Sequence, residues 1–319
     1  MRLKTNSAIR RWIMAMLFLT AVMLFVTACG SNSGNDFTSG EGKLKVTATI
    51  GMIADVVNNI GGDHVEAIGL MGPGVDPHLY KASQGDIKKL DQADVIFYNG
   101  LHLEGKMAEM LEKLGKKKTT VAVSSRLEES ALRSDPSGAG AHDPHIWFDV
   151  RNWISAAEVI RDTLVEKDPA NADNYKKRAA DYLVKLEELD RYTKEQIASI
   201  PEASRVLVTA HDAFGYFGDA YGIKVMGLQG MSTASEYGTK DVTTLRDYLV
   251  DNKIKAVFVE SSVPKKSIEA VIEGAKQMGH DVAIGGELFS DAMGKRGTEE
   301  GTYIGMVQHN VDTIVHALK

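Results

Sequence analysis

The 319-residue chain contains a single cysteine, Cys29. No disulfide can form within it, so the fold must rest on its apolar core. A cysteine-based zinc or iron–sulfur centre is excluded on the same count, and any metal site must be built from histidine and carboxylate. Basic charge is also scarce. Net charge is -6 at pH 7, and four of the basic residues (Arg2, Lys4, Arg10, Arg11) lie in an acid-free N-terminal stretch. Without residues 1–28 the balance is 33 basic against 43 acidic residues, or -10. Such a chain has no bulk attraction to nucleic acid. No period of 20–50 residues repeats, which excludes a solenoid. There is no His-Glu-x-x-His motif and no Gly-x-Ser-x-Gly elbow, the signatures a secreted metallohydrolase would offer. What is present is 44% hydrophobic and 25% charged residues, enough for one large or two medium folded cores.

The N-terminus reads as an address. Met1–Arg11 is basic, Trp12–Phe25 is apolar apart from Thr20, and Val26-Thr27-Ala28 is small and leads directly to Cys29. This is the layout of a signal peptide over residues 1–28, and its apolar run is short for a transmembrane helix, which needs about 20 residues. Val26-Thr27-Ala28-Cys29 resembles the bacterial lipobox, in which the cysteine is lipidated and becomes the mature N-terminus. Residues 29–42 are polar and rich in glycine and serine, the composition of a flexible tether.

From Lys43 onward, short β-rich runs alternate with helical patterns, which predicts an α/β fold with parallel sheets covered by helices. Strands are expected at Leu44–Ile50, His64–Leu70, Asp94–Tyr98 and Thr119–Val123. Helices are expected at Gly51–Ile60, at Ser83–Gln92 with Ser83 as N-cap, and at Leu103–Leu114. Arg151–Val165 is helical, and Ala170–Ile200 reads as one amphipathic helix whose Tyr175, Ala179, Tyr182, Leu183, Leu186, Leu189 and Ile197 recur at spacings of three and four. Pro201 ends it. Strands then return at Arg205–Val208, Ile223–Leu228, Ala256–Val259 and Val282–Ile284, with a last helix at Thr302–Leu318. The expected architecture is two α/β lobes, 43–168 and 203–319, joined by a long rigid helix over 169–202.

One short motif occurs twice. Asp76-Pro77-His78-Leu79-Tyr80 matches Asp143-Pro144-His145-Ile146-Trp147: acid, proline, histidine, aliphatic, aromatic. With only seven prolines and nine histidines in the chain, coincidence is a poor explanation. Proline fixes its own φ and restricts the preceding residue, so the pentad presents histidine from an extended loop. The aspartate is placed to cap a backbone N–H or orient an imidazole, and the aromatic to pack beneath the loop. His78, His145, His211 and Asp291 all lie beyond predicted strands, at the sheet ends where open α/β folds bind ligands. Two come from each lobe, so a shared site falls in the cleft between lobes. Three imidazoles and one carboxylate suit zinc, manganese or iron. A bidentate Asp291 gives five-coordination, which manganese accepts. Zinc outcompetes manganese in raw affinity, so the ligand set alone leaves the metal open.

Other residues carry blander readings. His64, His102, His280, His309 and His316 read as surface or hydrogen-bonded histidines, and His142 as a loop residue rather than a fifth ligand. Asp143, Asp149 and Asp212 are candidates to support the ligands from behind, though helix or turn capping explains them equally. Glu260, at a strand end, is a candidate for the cleft wall but not for a ligand. Lys116-Lys117-Lys118 reads as a solvated turn.

At these residues the sequence resembles the TroA-like (cluster A-I) metal-binding lipoproteins of ABC importers, and specifically the manganese-binding members of Gram-positive bacteria. The resemblance runs from the lipobox at Cys29 through Gly72-Pro73-Gly74-Val75-Asp76-Pro77-His78, Asn99-Gly100-Leu101, Asp143-Pro144-His145-Ile146-Trp147, the long central helix and Thr209-Ala210-His211-Asp212 to Ser290-Asp291-Ala292-Met293-Gly294. It implies a metal held between two lobes by His78, His145, His211 and Asp291, and a central helix that limits hinge motion. It also implies a lipid anchor on the outer face of the cell membrane, an ABC permease and its cytoplasmic ATPase as partners, and no enzymatic activity. Asp291 as a ligand rests chiefly on this resemblance. Some manganese-binding relatives carry glutamate where this chain has His211, which keeps zinc open. Zinc-specific relatives often carry a long histidine- and acid-rich loop before the second histidine, whereas Glu128–Ala141 here contains no histidine. The expected order is manganese, then zinc, then iron, bound by a monomer. The competing functions from other classes are a lipoprotein adhesin and a secreted metallohydrolase.

Overall fold

The computed structural model describes residue 37, residues 42–134 and residues 141–319. The expected signal peptide, Cys29 and most of the expected tether lie outside the described residues. β1 (Leu44–Ala48) leads to α1 (Gly51–Gly61), β2 (Val65–Gly69), α2 (Gln84–Gln92), β3 (Val95–Tyr98), α3 (Ala108–Gly115) and β4 (Thr119–Ala122). These four strands form one parallel sheet in the order β2-β1-β3-β4. Val46, Val95, Ile96 and Phe97 are fully buried in it, as expected of strands covered on both faces. Ser83 caps α2 in a reciprocal capping box with Asp86, satisfying two N–H groups left over at the helix start.

α4 (Val150–Lys167) and α5 (Ala172–Ala198) follow. α5 has 27 residues, a length of roughly 40 Å at 1.5 Å per residue. Its buried face is Tyr175, Ala179, Tyr182, Leu186, Leu189, Thr193 and Ile197, and Leu183 is half-buried at the edge of that stripe. The helix is therefore no bare strut. Its inner face shares one continuous apolar core with the first sheet, α4 and the last helix.

The second half runs β5 (Val206–His211), α6 (Gly215–Tyr221), β6 (Lys224–Gln229), α7 (Thr239–Asp251), β7 (Ala256–Glu260), α8 (Lys266–Gln277), β8 (Ala283–Leu288) and α9 (Tyr303–Leu318). Its hydrogen bonding is divided into two parallel pairs, β5–β6 and β7–β8, with β5 packed beside β7. A smaller second core of Val208, Leu228, Leu249, Val257, Ile268 and Val271 fills the space under α7 and α8.

Two local expectations differ. Leu103–Leu114 is not one helix: a turn precedes the 3-10 segment Gly105–Met107, and the α-helix begins only at Ala108. The cause lies just upstream, where Gly100, Leu101 and His102 all have positive φ (86°, 52° and 65°). That conformation breaks a right-handed helix. A side chain at Gly100 would sit 2.6 Å from Ser124 Oγ, so glycine is required there on steric grounds too. Lys118 is no solvated turn residue either. Its amine donates to the carbonyls of Leu90, Asp91 and Ala93, placing a cation on the C-terminal end of α2 where the helix dipole favours it.

Candidate metal centre

The two copies of the repeated pentad are built alike at the backbone. Asp76 Oδ1 accepts from His78 N–H at 2.8 Å, and Asp143 Oδ1 accepts from His145 N–H at 3.0 Å. Each aspartate thus fixes the turn that presents the histidine two residues on. The aromatics diverge. Trp147 is fully buried, lies edge-on to the His145 ring and donates from Nε1 to Ser290 O. Tyr80 is half-buried against the core, and its hydroxyl donates to Asp86 at the start of α2.

His211 is the last residue of β5, and Asp291 lies three residues past β8. With His78 and His145 they form a single buried cluster in which one donor atom from each residue lies within 4.8 Å of all the others. His78 Nε2 is 3.3 Å from His145 Nε2. Asp291 Oδ1 is 3.3 Å from His145 Nε2, and Asp291 Oδ2 is 3.4 Å from His211 Nε2 and 3.8 Å from His78 Nε2. Both Asp291 oxygens and His211 Nε2 are buried without a hydrogen bond. Buried polar atoms are rarely left so. Here a carboxylate and three ring nitrogens converge on one point, the donor set a divalent cation completes.

Two of the four candidate supporting acids reach the imidazoles. Asp143 Oδ1 lies 2.8 Å from His145 Nδ1. Glu260, at the end of β7, places Oε2 2.5 Å from His211 Nδ1 while Oε1 accepts from His211 N–H at 2.8 Å. Both contacts fix the ring so that Nε2 points at the cluster, and both raise its basicity. Asp149 instead caps α4, accepting from Arg151 N–H. Asp212 contacts none of the three rings.

The charges follow the contacts. Burial pushes His145 down, but Asp143 and Asp291 outweigh it and raise the ring to about 9. Burial likewise opposes the charge on His211, and Glu260 and Asp291 overcome it, holding the ring well above its ordinary value. His78 has no carboxylate behind its ring, and burial, only partly opposed by the Asp291 charge, lowers it to about 4. Asp291 resists burial because the surrounding imidazoles hold it well below the usual carboxylate range.

Supports absent from the sequence reading hold the His145 loop. Asn99 donates from Nδ2 to Pro144 O, and buried Glu104 accepts from Asn99 N–H and the Thr49 hydroxyl. Tyr216 donates to Asp143 O, and Arg133 pairs with both Asp143 and Asp219. Tyr303 donates to Trp147 O, and Phe148 stacks on Phe214. His145 thus precedes the long helix in sequence but is held from both sides, by Asn99 and Arg133 before the helix and by Tyr216, Ser290 and Tyr303 after it. Only the Asn99-Gly100 turn signal could have pointed to any of this.

The remaining histidines fit their bland readings where contacts exist. His280 bonds Ile254 O and His309 bonds Glu287 O. His142 lies 3.2 Å from Glu129, and with His102 it borders a cleft of about 330 Å³ that opens beside His78.

Comparison with known proteins agrees with this geometry. The profile of the family described as ZnuA, zinc-uptake complex component A periplasmic, matches residues 46–317. The manganese-binding lipoprotein MntA of Bacillus subtilis is 54% identical over 306 residues, covering 96% of this chain and 98% of its own length. The solved periplasmic zinc-binding protein TroA of Treponema pallidum superposes with a TM-score of 0.85 at 50% identity, covering 87% of this chain and 99% of that one. The Fe(III)-bound YtgA of Chlamydia trachomatis superposes with a TM-score of 0.79 at 29% identity, covering 86% and 98%. The chain therefore belongs to the ZnuA family of TroA-like metal-binding proteins, the substrate-binding subunits of metal ABC importers.

Proposed function

We propose that this protein is the extracytoplasmic capture subunit of an ABC importer, binding a divalent transition metal, manganese foremost, through His78, His145, His211 and Asp291. The metal is cargo rather than a resident cofactor. The observation that carries the reading is the burial of three imidazoles and one carboxylate around a common point, with both Asp291 oxygens free of hydrogen bonds. Those two oxygens face different imidazoles, as a bidentate carboxylate would, and the fifth donor suits manganese better than four-coordinate zinc. A manganese-binding relative at 54% identity supports the same choice. Zinc is the alternative, supported by the relative TroA.

Four protein ligands leave little room for a catalytic water, which supports a carrier over a hydrolase. No helix among the described residues is long and apolar enough to cross a membrane. Membrane attachment in this reading falls to a lipid on Cys29, with residues 29–42 as tether, on the outer face of a Gram-positive cell membrane. The folded body divides into the lobes 43–168 and 203–319 about α5 and works as a monomer docked to a permease.

Calorimetric titration of the metal-stripped full chain in detergent tests the reading. Manganese is expected to bind one-to-one at submicromolar strength, and His78→Ala to lose that binding. Zinc binding alone would reassign the cargo. Binding of neither metal would overturn the site and favour an adhesin. Glu260→Gln keeps the shape behind His211 but removes the charge, and metal affinity is expected to fall about ten- to a hundredfold. An unchanged isotherm for that variant would show that Glu260 only orients the backbone.

A further inference from the structure

His78 stands apart from the other three residues of the cluster. It alone lines the open cleft. Among the described residues its Nδ1 has no hydrogen-bond partner, whereas His145 and His211 each meet a carboxylate there. His211 is part of β5, Asp291 follows β8, and the His145 loop is pinned to the second half of the chain by the contacts of Trp147 and Asp143. Three ligands thus share one framework, and His78 approaches it from the other side.

Apart from the contacts of the His78 ring with His145 and Asp291, one hydrogen bond among the described residues ties the segment 73–79 across to that framework. Thr233 donates from its hydroxyl to Asp76 Oδ2 at 2.6 Å. Asp76 uses its other oxygen on His78 N–H, so the same carboxylate grips the ligand's backbone and the opposite wall. Thr233 is itself held by the site. Its carbonyl accepts from Gln229 Nε2 at 2.7 Å, and Gln229 ends β6 directly opposite His211. A chain of contacts therefore runs from His211 through β6, Gln229, Thr233 and Asp76 to His78. In the twin motif, Asp143 turns its outer oxygen toward half-buried Arg133 at 3.5 Å instead, and no hydroxyl among the described residues bonds to that carboxylate.

We propose that Thr233 is a positioning residue for the cargo: through Asp76 its hydroxyl holds His78 over the bound cation and sets the rate at which the cation leaves. The proposal rests on the metal-capture reading. A hydroxyl bonded to a carboxylate contributes enough that losing it should speed dissociation about tenfold or more.

The test uses the full chain in detergent, loaded with manganese and mixed rapidly with excess chelator. Thr233→Val is expected to release manganese about tenfold faster, with unchanged one-to-one stoichiometry and association rate. Thr233→Ser, which restores the hydroxyl, should return dissociation to the wild-type rate. Gln229→Ala, which loosens Thr233 without touching Asp76, should shift dissociation in the same direction. A merely structural role would slow association, lower the melting temperature and show no serine rescue, and that pattern overturns the proposal. So does release from both Thr233→Val and Gln229→Ala within twofold of wild type while wild type still binds. If wild type binds neither manganese nor zinc, the metal-capture reading fails first and this proposal falls with it.

Discussion

Asp291→Asn is expected to weaken metal binding by about two to three orders of magnitude while leaving the fold intact. Of the four proposed ligands, Asp291 alone brings a formal negative charge, and it is buried with three imidazoles around it. Removing one partner of a buried charge pair costs about 3–5 kcal/mol, and each 1.4 kcal/mol is about tenfold in affinity. Asparagine is worse than neutral here, because one of its two arms becomes an N–H₂ donor aimed at the cation. The substitution should also change the metal-free protein. Asp291 is one of the charges that hold His145 and His211 protonated, so the variant should carry fewer protons at pH 7 and release fewer on loading. Calorimetry in two buffers of different ionisation enthalpy reads both effects. An affinity within tenfold of wild type would mean that the carboxylate is not a ligand and that three imidazoles suffice. Matching near-UV circular dichroism separates either result from misfolding.

Much of the site was legible because its signals are local. The repeated Asp-Pro-His pentad states in five residues how a histidine is mounted, and the aspartate-to-backbone bond is the same in both copies. The stripe on α5 and the cap at Ser83 are equally local, as is the alternation of strand and helix. What the sequence does not display is the set of contacts that supports the cluster from distant points of the chain. Thr233 and Asp76 are 157 residues apart, and Trp147 and Ser290 are 143 apart. No spacing or motif links them until the fold does. Glu260 illustrates the boundary. Its place at a strand end was readable, but its grip on His211 depends on β5 lying beside β7, a tertiary fact. The broken helix after Tyr98 went unread for a different reason. Leu101 and His102 are ordinary residues held at positive φ by the turn at Gly100, and composition carries no mark of that.

Metal loading is expected to release protons, and affinity is expected to climb steeply with pH between about 6.5 and 9. A ligand imidazole must be neutral. In the metal-free protein His145 is raised to about 9 and His211 is raised well above its ordinary value, so near pH 7 the incoming cation displaces protons from both. Each displaced proton makes affinity change about tenfold per pH unit. His78 contributes nothing to this slope, since burial lowers it to about 4 and it is already neutral. The stability of the metal-free fold should move in the opposite direction over the same range. A histidine raised in the folded state contributes stability that is fully present below its unfolded value, about 6.5, and is lost as pH rises through the folded value. For His145 that window runs from about 6.5 to about 9, and His211 adds to the loss in the same sense. His78 has the reverse sign: its contribution is present above about 6.5 and is lost as pH falls toward about 4. The site therefore stabilises the metal-free protein most near pH 6.5, while manganese stabilises it most in mildly alkaline solution. Melting temperatures with and without manganese, taken from pH 5.5 to 9, should diverge progressively as pH rises. A constant gap across that range would mean that His145 and His211 are neutral before the metal arrives, and that the carboxylates behind them orient the rings without holding protons on them.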